Sequence, residues 1–255
     1  MDSILPPGLA QVSAELVRAR ALACALPGPP SGLPETLEDA YRIQDCSIAD
    51  WDGAVAGWKV GGVPPDYVER FGETRLAGPI FAASVQTVAE GEVARMPVFA
   101  GGFAAIEPEF VFQLGASEQD DRLFIGAEIA SSPIPDINSY GPVAVICDFG
   151  NNNGLLLGAE IRDWKSIDAA ARVTTYIDEE MIATKSLADF RTDALAALAF
   201  LRTLANARGY PLTEGTYVSS GAITGVHEAP VGARSQLDFG ALGAFELELV
   251  RAEPL

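Results

Sequence analysis

The segment Ala105-Ile106-Glu107-Pro108-Glu109-Phe110-Val111-Phe112 carries two carboxylates two residues apart inside an apolar run. Along an extended strand, residues i and i+2 leave the same face, so Glu107 and Glu109 share one face and Ile106, Pro108 and Phe110 the other. Like charges held that close raise each other's pKa unless something positive lies between them, and a divalent cation would relieve the conflict. The alternative is a solvent-facing strand edge, with Pro108 marking a position that needs no ladder donor. A third carboxylate, Glu128, lies in Leu123-Phe124-Ile125-Gly126-Ala127-Glu128-Ile129. A lone acid in such a strand is costly unless it coordinates a cation or pairs with an arginine. Three carboxylates without imidazole form a hard, all-oxygen ligand set, suited to Mg2+ or Mn2+ and ill suited to zinc.

Lys59 stands in Ala56-Gly57-Trp58-Lys59-Val60-Gly61-Gly62. On a strand it faces away from Trp58 and Val60, and the glycines that follow let a ligand or another backbone come close. A lysine so placed is either a point charge for a carboxylate or, with its pKa lowered by burial, a proton carrier. The alternative is a surface lysine whose stem alone is covered. His227 is the single histidine, which excludes His-rich metal sites and the two-histidine zinc motif of proteases. Cys24, Cys46 and Cys147 have no C-x-x-C spacing and indicate buried free thiols rather than a disulfide framework. No phosphate-cradling glycine loop and no calcium loop of the helix-loop-helix kind is present.

Elements able to position these groups can be read from periodicity. Leu9, Val12, Leu16 and Ala23 keep near-helical spacing, Pro27 to Pro34 break the chain, and Leu37, Ala40, Tyr41 and Ile48 mark a second helix. From Ala54 the character changes to short strands: Val55 to Val60, Phe103 to Gln113, Arg122 to Ala130, Val143 to Cys147, Leu155 to Glu160, Val173 to Asp178 and Tyr217 to Ser220, with an alternating tail from Phe245 to Val250. One late helix starts near Asp193, points Leu195, Leu198, Leu201 and Leu204 inward and stops at Gly209. The expected organisation is a helical N-terminal segment, 1–53, packed on a β-rich catalytic body, 54–255. Many short strands separated by Gly, Pro, Asn and Asp favour a curled α+β structure over an alternating βαβ sheet.

The chain has 255 residues, half of them apolar, with 35 acids against 17 bases and a formal net charge of −18. That balance repels phosphate backbones and anionic membrane surfaces, so neither nucleic acid nor membrane is an expected partner. The apolar run from Leu9 to Leu26 is interrupted by Glu15, Arg18 and Arg20, unlike a signal peptide or a membrane span, and the reading is cytoplasmic.

In their order along the chain, Lys59 in its G-x-K-V-G string, Glu107-Pro108-Glu109, Ala127-Glu128-Ile129 and Val218-Ser219-Ser220-Gly221-Ala222 resemble the 2-keto-4-pentenoate hydratase family of the fumarylacetoacetate hydrolase superfamily. The resemblance extends to Thr36-Leu37-Glu38-Asp39-Ala40-Tyr41 with Gln44, and to Gly209-Tyr210-Pro211-Leu212 after the late helix. It implies a mixed β-roll of the fumarylacetoacetate hydrolase C-terminal type and a Mg2+ or Mn2+ ion on Glu107, Glu109 and Glu128. It also implies catalysis by Lys59, a Ser220 hydroxyl beside Gly221 near the substrate carboxylate, and a homo-oligomer. The implied substrate is a small 2-oxo or 2-hydroxydienoic acid, chelated through its carboxylate and C2 oxygen and hydrated to a 4-hydroxy-2-oxo acid. Decarboxylation on the same scaffold, or a non-catalytic subunit that keeps the fold, are the rivals.

The sequence departs from the family at several positions around this site. Where family members carry an acid before the glycine aligned with Gly78, this chain has Leu76-Ala77-Gly78. If that acid activates water, hydration is weakened unless Glu73 or Asp148 substitutes. The family's Ser-Arg-Ile becomes Ser132-Pro133-Ile134, and its Asp-Asn-x-Ser-like segment becomes Asp148-Phe149-Gly150-Asn151-Asn152-Asn153. His227 does not occupy the place of the water-activating histidine of the superfamily's hydrolases.

Overall fold

Strand β5 (Phe103–Gln113) and strand β6 (Arg122–Ser132) are the longest in the molecule and pair antiparallel in unbroken register. Both run with nearly every residue buried, because structure covers both faces. They lie at the centre of the fold in a computed structural model that describes residues 5–89 and 91–255. The first four residues of the expected N-terminal segment therefore lie outside the described residues.

Before them come helices α1 (Pro7–Ala21) and α2 (Leu37–Asp50), strand β1 (Val55–Gly62), helix α3 (Pro65–Phe71) and strands β2 (Arg75–Phe81), β3 (Val85–Thr87) and β4 (Val93–Val98). After them come α4 (Pro142–Cys147), β7 (Asn152–Glu160), β8 (Ala171–Ile177), β9 (Glu180–Leu187), α5 (Arg191–Arg208), β10 (Tyr217–Ser219), β11 (His227–Glu228), β12 (Arg234–Asp238) and β13 (Ala244–Arg251). One sheet has the order β2-β1-β10-β5-β6-β7-β3, with β11 added against β5, and the other the order β4-β13-β12-β8-β9. The class is α+β, as the sequence indicates.

Local chemistry accounts for the helix boundaries. Thr36 caps α2 by accepting a hydrogen bond from the Asp39 backbone N–H at 3.2 Å, and Glu38 and Asp39 complement the positive end of the helix. In α5, Ala194, Ala197, Leu198, Leu201 and Ala205 form the buried stripe, and Gly209 ends the helix in the left-handed region at φ 77°. Leu195 does not join that stripe. It sits one residue, or 100° of helix, from Ala194 and is exposed, whereas Leu198 and Leu201 point inward as expected.

The segment Val143 to Cys147 is a helix, not the expected strand. All its residues are apolar and all but Val143 are buried, so periodicity cannot separate strand from helix there, and Pro142 at the first helical position decides it. Strands β2, β3, β4, β9, β11 and β12 are not among the expected ones: β2 contains Gly78 and Pro79, β3 and β11 are very short, and β9 is exposed along almost its whole length.

Three hydrophobic clusters hold the molecule together, the smallest of them formed by Ile80, Val111, Phe124, Leu155 and Leu157. The largest lies between the sheets and under α5, with Phe110, Ile125, Met96, Leu247 and Leu201 among its members. The second joins Val12 and Leu16 of α1, Ala40 and Ile43 of α2, and Ile146 of α4 to Phe103 of β5. The N-terminal helices thus pack directly on one end of the β5-β6 pair. Arg20, in the last turn of α1, reaches further. Its guanidinium bonds both Asp148 carboxylate oxygens at 2.5 and 2.9 Å and the carbonyls of Asp148, Asn152 and Ser131, and it lies near the rings of Phe99 and Phe149. Arg20 and Asp148 are both buried, so neither charge has water to fall back on.

Removing one member of such a pair leaves the other buried and uncompensated. Arg20→Met should lower the unfolding free energy by about 3–5 kcal/mol in urea denaturation, and adding Asp148→Asn should recover part of the loss. A cost of less than about 1 kcal/mol for Arg20→Met would show that the pair contributes little.

Candidate metal centre and active site

Glu107 of β5 stands directly opposite Glu128 of β6, and Glu109 stands opposite Gly126. Strand alternation puts both β5 glutamates on one face and the cross-strand partner brings in the third, so each of the three offers an oxygen within 4.8 Å of the others. All three are buried, Glu109 and Glu128 completely. The solvent-edge reading of this strand is thereby excluded.

Lys59 arrives on β1, where it pairs with Gly78 of β2 and Ser219 of β10. It is 3% exposed, which excludes the surface-lysine alternative. Its Nζ lies 3.2 Å from Glu128 Oε2 and donates to Asn151 Oδ1 at 3.3 Å. The contact with Glu128 is an ion pair without a well-directed hydrogen bond, since Oε2 has no hydrogen-bond partner. The partner of Glu128 is therefore a lysine, not an arginine.

The turn that supplies Asn151 is unusual. Phe149, Gly150 and Asn151 have φ of 54°, 67° and 55°, three successive residues in the left-handed region. A non-glycine residue pays about 1–2 kcal/mol to sit there. The turn also packs tightly on β2: a Cβ on Gly78 would lie 2.2 Å from the Phe149 carbonyl oxygen, so only glycine fits. Immediately after the turn, Asn152 Nδ2 donates to Glu128 Oε1 at 3.1 Å.

Hydrogen bonds from β10 and the turn after it complete the cluster. Ser219 Oγ and the Gly221 N–H both donate to Glu109 Oε2, at 2.5 and 2.7 Å. Ser220 is not brought to the carboxylates. Its hydroxyl donates to the Phe110 carbonyl at 2.8 Å, because the next residue along an extended chain faces the other way. The serine at the glutamates is thus Ser219, and Asn151 and Asn152, to which the sequence assigns no role, join it there. A left-handed turn suits Asn as well as Gly, and that was the available signal.

Burial pushes the Glu107 carboxyl up to about 8, aided by the charge of Glu128 and opposed by Lys59. Burial also raises Glu109 well above the usual carboxylate range, aided by Glu128 and Glu107 and opposed by the Ser219 and Gly221 hydrogen bonds. For Lys59, burial pushes the ammonium down, but the charges of Glu128, Glu107 and Glu109 outweigh it and hold the group above its ordinary value. One ammonium thus faces three carboxylates, and two oxygens, Glu109 Oε1 and Glu128 Oε2, are buried without a hydrogen-bond partner. That oxygen-only donor set with unpartnered atoms fits a hard divalent cation.

Glu107 and Lys59 open onto a cavity of about 400 Å3. Asn138 and Asn151 are polar members of its wall, while Leu76, Pro142, Val145 and Val226 make an apolar side. Neither acid considered as a substitute for the missing one is free to act. Asp148 is locked to Arg20, and Glu73 is exposed on the surface. Ala77 is fully buried, with its N–H bonded to the Tyr41 hydroxyl and its carbonyl to Gln44 Nε2. His227 pairs through its backbone with Ile106, and its Nε2 lies 2.8 Å from Thr224 Oγ1. Burial holds its pKa down. It takes no part in the carboxylate cluster, in line with the sequence reading.

A carboxyl whose pKa is raised by folding favours the native state below its ordinary value near 4.5, and that contribution is lost as pH climbs through about 8. Metal-free protein should therefore lose thermal stability across that interval, and Glu107→Gln should flatten the loss by about 5 °C. Thermal melts in chelator from about pH 5 to about pH 9 test this, and equal slopes for both proteins would contradict it.

Neither the family models nor the curated protein sequences match the chain. Solved structures do. 4-Oxalocrotonate decarboxylase from Pseudomonas putida G7, complexed with magnesium and adipate, superposes with a TM-score of 0.78 at 17% identity, covering 97% of this chain and 99% of that one. The same enzyme complexed with calcium and acetate gives 0.77 with the same identity and coverage. Fumarylpyruvate hydrolase from Pseudomonas aeruginosa, in complex with Mn2+ and pyruvate, gives 0.55 at 16% identity, covering 76% of this chain and 89% of that one. At these identities the likeness is one of fold, and this chain shares its fold with these two enzymes.

Proposed function

We propose that the chain is a divalent-metal-dependent lyase acting on a small 2-oxo acid, and that it breaks a carbon–carbon bond by loss of CO2. The observation that carries this reading is the buried cluster of Glu107, Glu109 and Glu128 beside Lys59 at the cavity, with two carboxylate oxygens that accept no hydrogen bond. Those three residues would hold Mg2+ or Mn2+, which supplies Lewis acidity at the C2 oxygen of the substrate.

The protein's own residues supply the rest. Lys59, held charged among the carboxylates, steers the substrate carboxylate by its positive charge. Asn151 fixes the lysine's direction and Asn152 that of Glu128. Leu76, Val145 and Val226 give the cavity an apolar side, and its lining contains no cation other than Lys59. A second carboxylate carried there by a conjugated 2-oxo acid would lie against apolar side chains, a setting that favours neutral CO2 over the anion. The bond to that carboxyl breaks, its electron pair moves through the conjugated chain to the C2 oxygen, and a proton returns to give the 2-hydroxydienoic acid.

Hydration is the second reading and the one the sequence favours. It needs a base for water, yet Ala77 has no carboxylate, Asp148 is held by Arg20 and Glu73 is exposed. Decarboxylation needs the same electron sink and no added water. The likeness to 4-oxalocrotonate decarboxylase over nearly the full length of both chains agrees with that choice.

With Mg2+ present, a 2-oxo-3-enedioic acid should release CO2 faster than a 2-hydroxydienoic acid gains water, as read by CO2 evolution and product mass. Lys59→Met should cut turnover by about 10²-fold or more while the rise in melting temperature on adding Mg2+ persists. Water addition as the faster reaction would replace decarboxylation by hydration, and unaltered turnover in Lys59→Met would remove the lysine from the mechanism.

A further inference from the structure

We propose that Ser219 sets the cation preference of the glutamate cluster by restricting Glu109 to one coordinating oxygen. The inference rests on the metal-binding reading above and concerns which ion the cluster selects. A carboxylate oxygen has two lone pairs in the plane of the group. On Glu109 both acceptor positions of Oε2 are taken, one by the Ser219 hydroxyl at 2.5 Å and one by the Gly221 N–H at 2.7 Å. Oε1 of the same residue is buried and has no partner.

This asymmetry is built into the backbone. Ser219 is fully buried on β10, wedged between Val111 of β5 and Lys59 of β1, so its hydroxyl has little freedom to leave. Two residues later the chain turns through the left-handed region at Gly221, φ 105°, where a Cβ would come within 3.2 Å of the Val60 carbonyl. That turn aims the Gly221 N–H back at Glu109.

Small hard cations and large ones use carboxylates differently. Mg2+ takes about six oxygens at roughly 2.0–2.1 Å in near-octahedral geometry, whereas Ca2+ takes about six to eight at roughly 2.3–2.6 Å and readily accepts both oxygens of one carboxylate. A Glu109 with one oxygen already saturated suits the first and handicaps the second. Ser219 is therefore a positioning residue, acting on the metal through Glu109.

The test is calorimetric binding of MgCl2 and of CaCl2, separately, to the wild-type chain and to Ser219→Ala, Ser219→Thr and Ser220→Ala. Ser219→Ala should move the ratio of the two affinities toward Ca2+ by about tenfold, the lower end of what removing such an outer partner does to a metal site. Ser219→Thr, which keeps the hydroxyl, should restore the wild-type ratio. Ser220→Ala should leave the ratio unchanged, because its hydroxyl serves only the Phe110 carbonyl. If Ser219→Ala is not folded by circular dichroism, Ser219→Cys, with a weaker donor, should move the ratio in the same direction. An equal loss of both affinities, or a ratio that does not move, overturns the inference and leaves the metal site standing. A wild-type chain that binds neither cation overturns both.

Discussion

Three carboxylates and one ammonium, all out of water, are the constraint around which the molecule is organised. With all four ionised the charge does not balance, and desolvation in a protein interior makes the imbalance expensive. The surroundings answer it with oriented hydrogen-bonding groups, three donors to the carboxylates and one acceptor for the lysine. Ser219 and Gly221 serve Glu109, Asn152 serves Glu128, and Asn151 holds the lysine. These groups come from two stretches of chain, Asn151-Asn152 and Ser219 to Gly221, so the cluster is also a point where β1, β5, β6, β10 and the start of β7 must agree in position.

The turn from Phe149 to Asn151 shows how such agreement is enforced. Left to itself, a run of three left-handed residues would relax. It is trapped between Gly78, which gives it room on one side, and Arg20, which bonds Asp148 before it and the Asn152 carbonyl after it. The N-terminal helices therefore contribute to the site although none of their side chains is among the groups gathered at the glutamates.

The central strands, the glutamate triad and Lys59 were legible in the sequence for one reason: charged residues in apolar strands stand out, and strand alternation says which of them share a face. The same rule explains why Ser219, and not Ser220, reaches the glutamates. A one-residue shift along an extended segment changes the face, and no local signal distinguishes Ser219 from its neighbour. Asn151 and Asn152 were hidden because their role depends on a turn whose geometry is set by contacts from α1 and β2. Helix α4 was hidden by its uniform apolarity. The dependence of Asp148 on Arg20 joins residues 128 positions apart, a distance over which reading a single sequence carries no information.

That separation also bears on the order in which the protein assembles. Contacts between residues far apart in sequence form late, since the intervening chain must first be closed into a loop. Strands β5 and β6 are joined by a short connection and can pair early, which gathers the three glutamates before anything offsets their charge. The left-handed turn can settle only after α1 has docked and delivered Arg20, and α1 leaves the ribosome more than a hundred residues ahead of its partner. During synthesis that helix must wait, with an arginine at its end that has no carboxylate to meet. The three glutamates are thus close in sequence, while the groups that complete the site, on the turn and on β10, come from far along the chain.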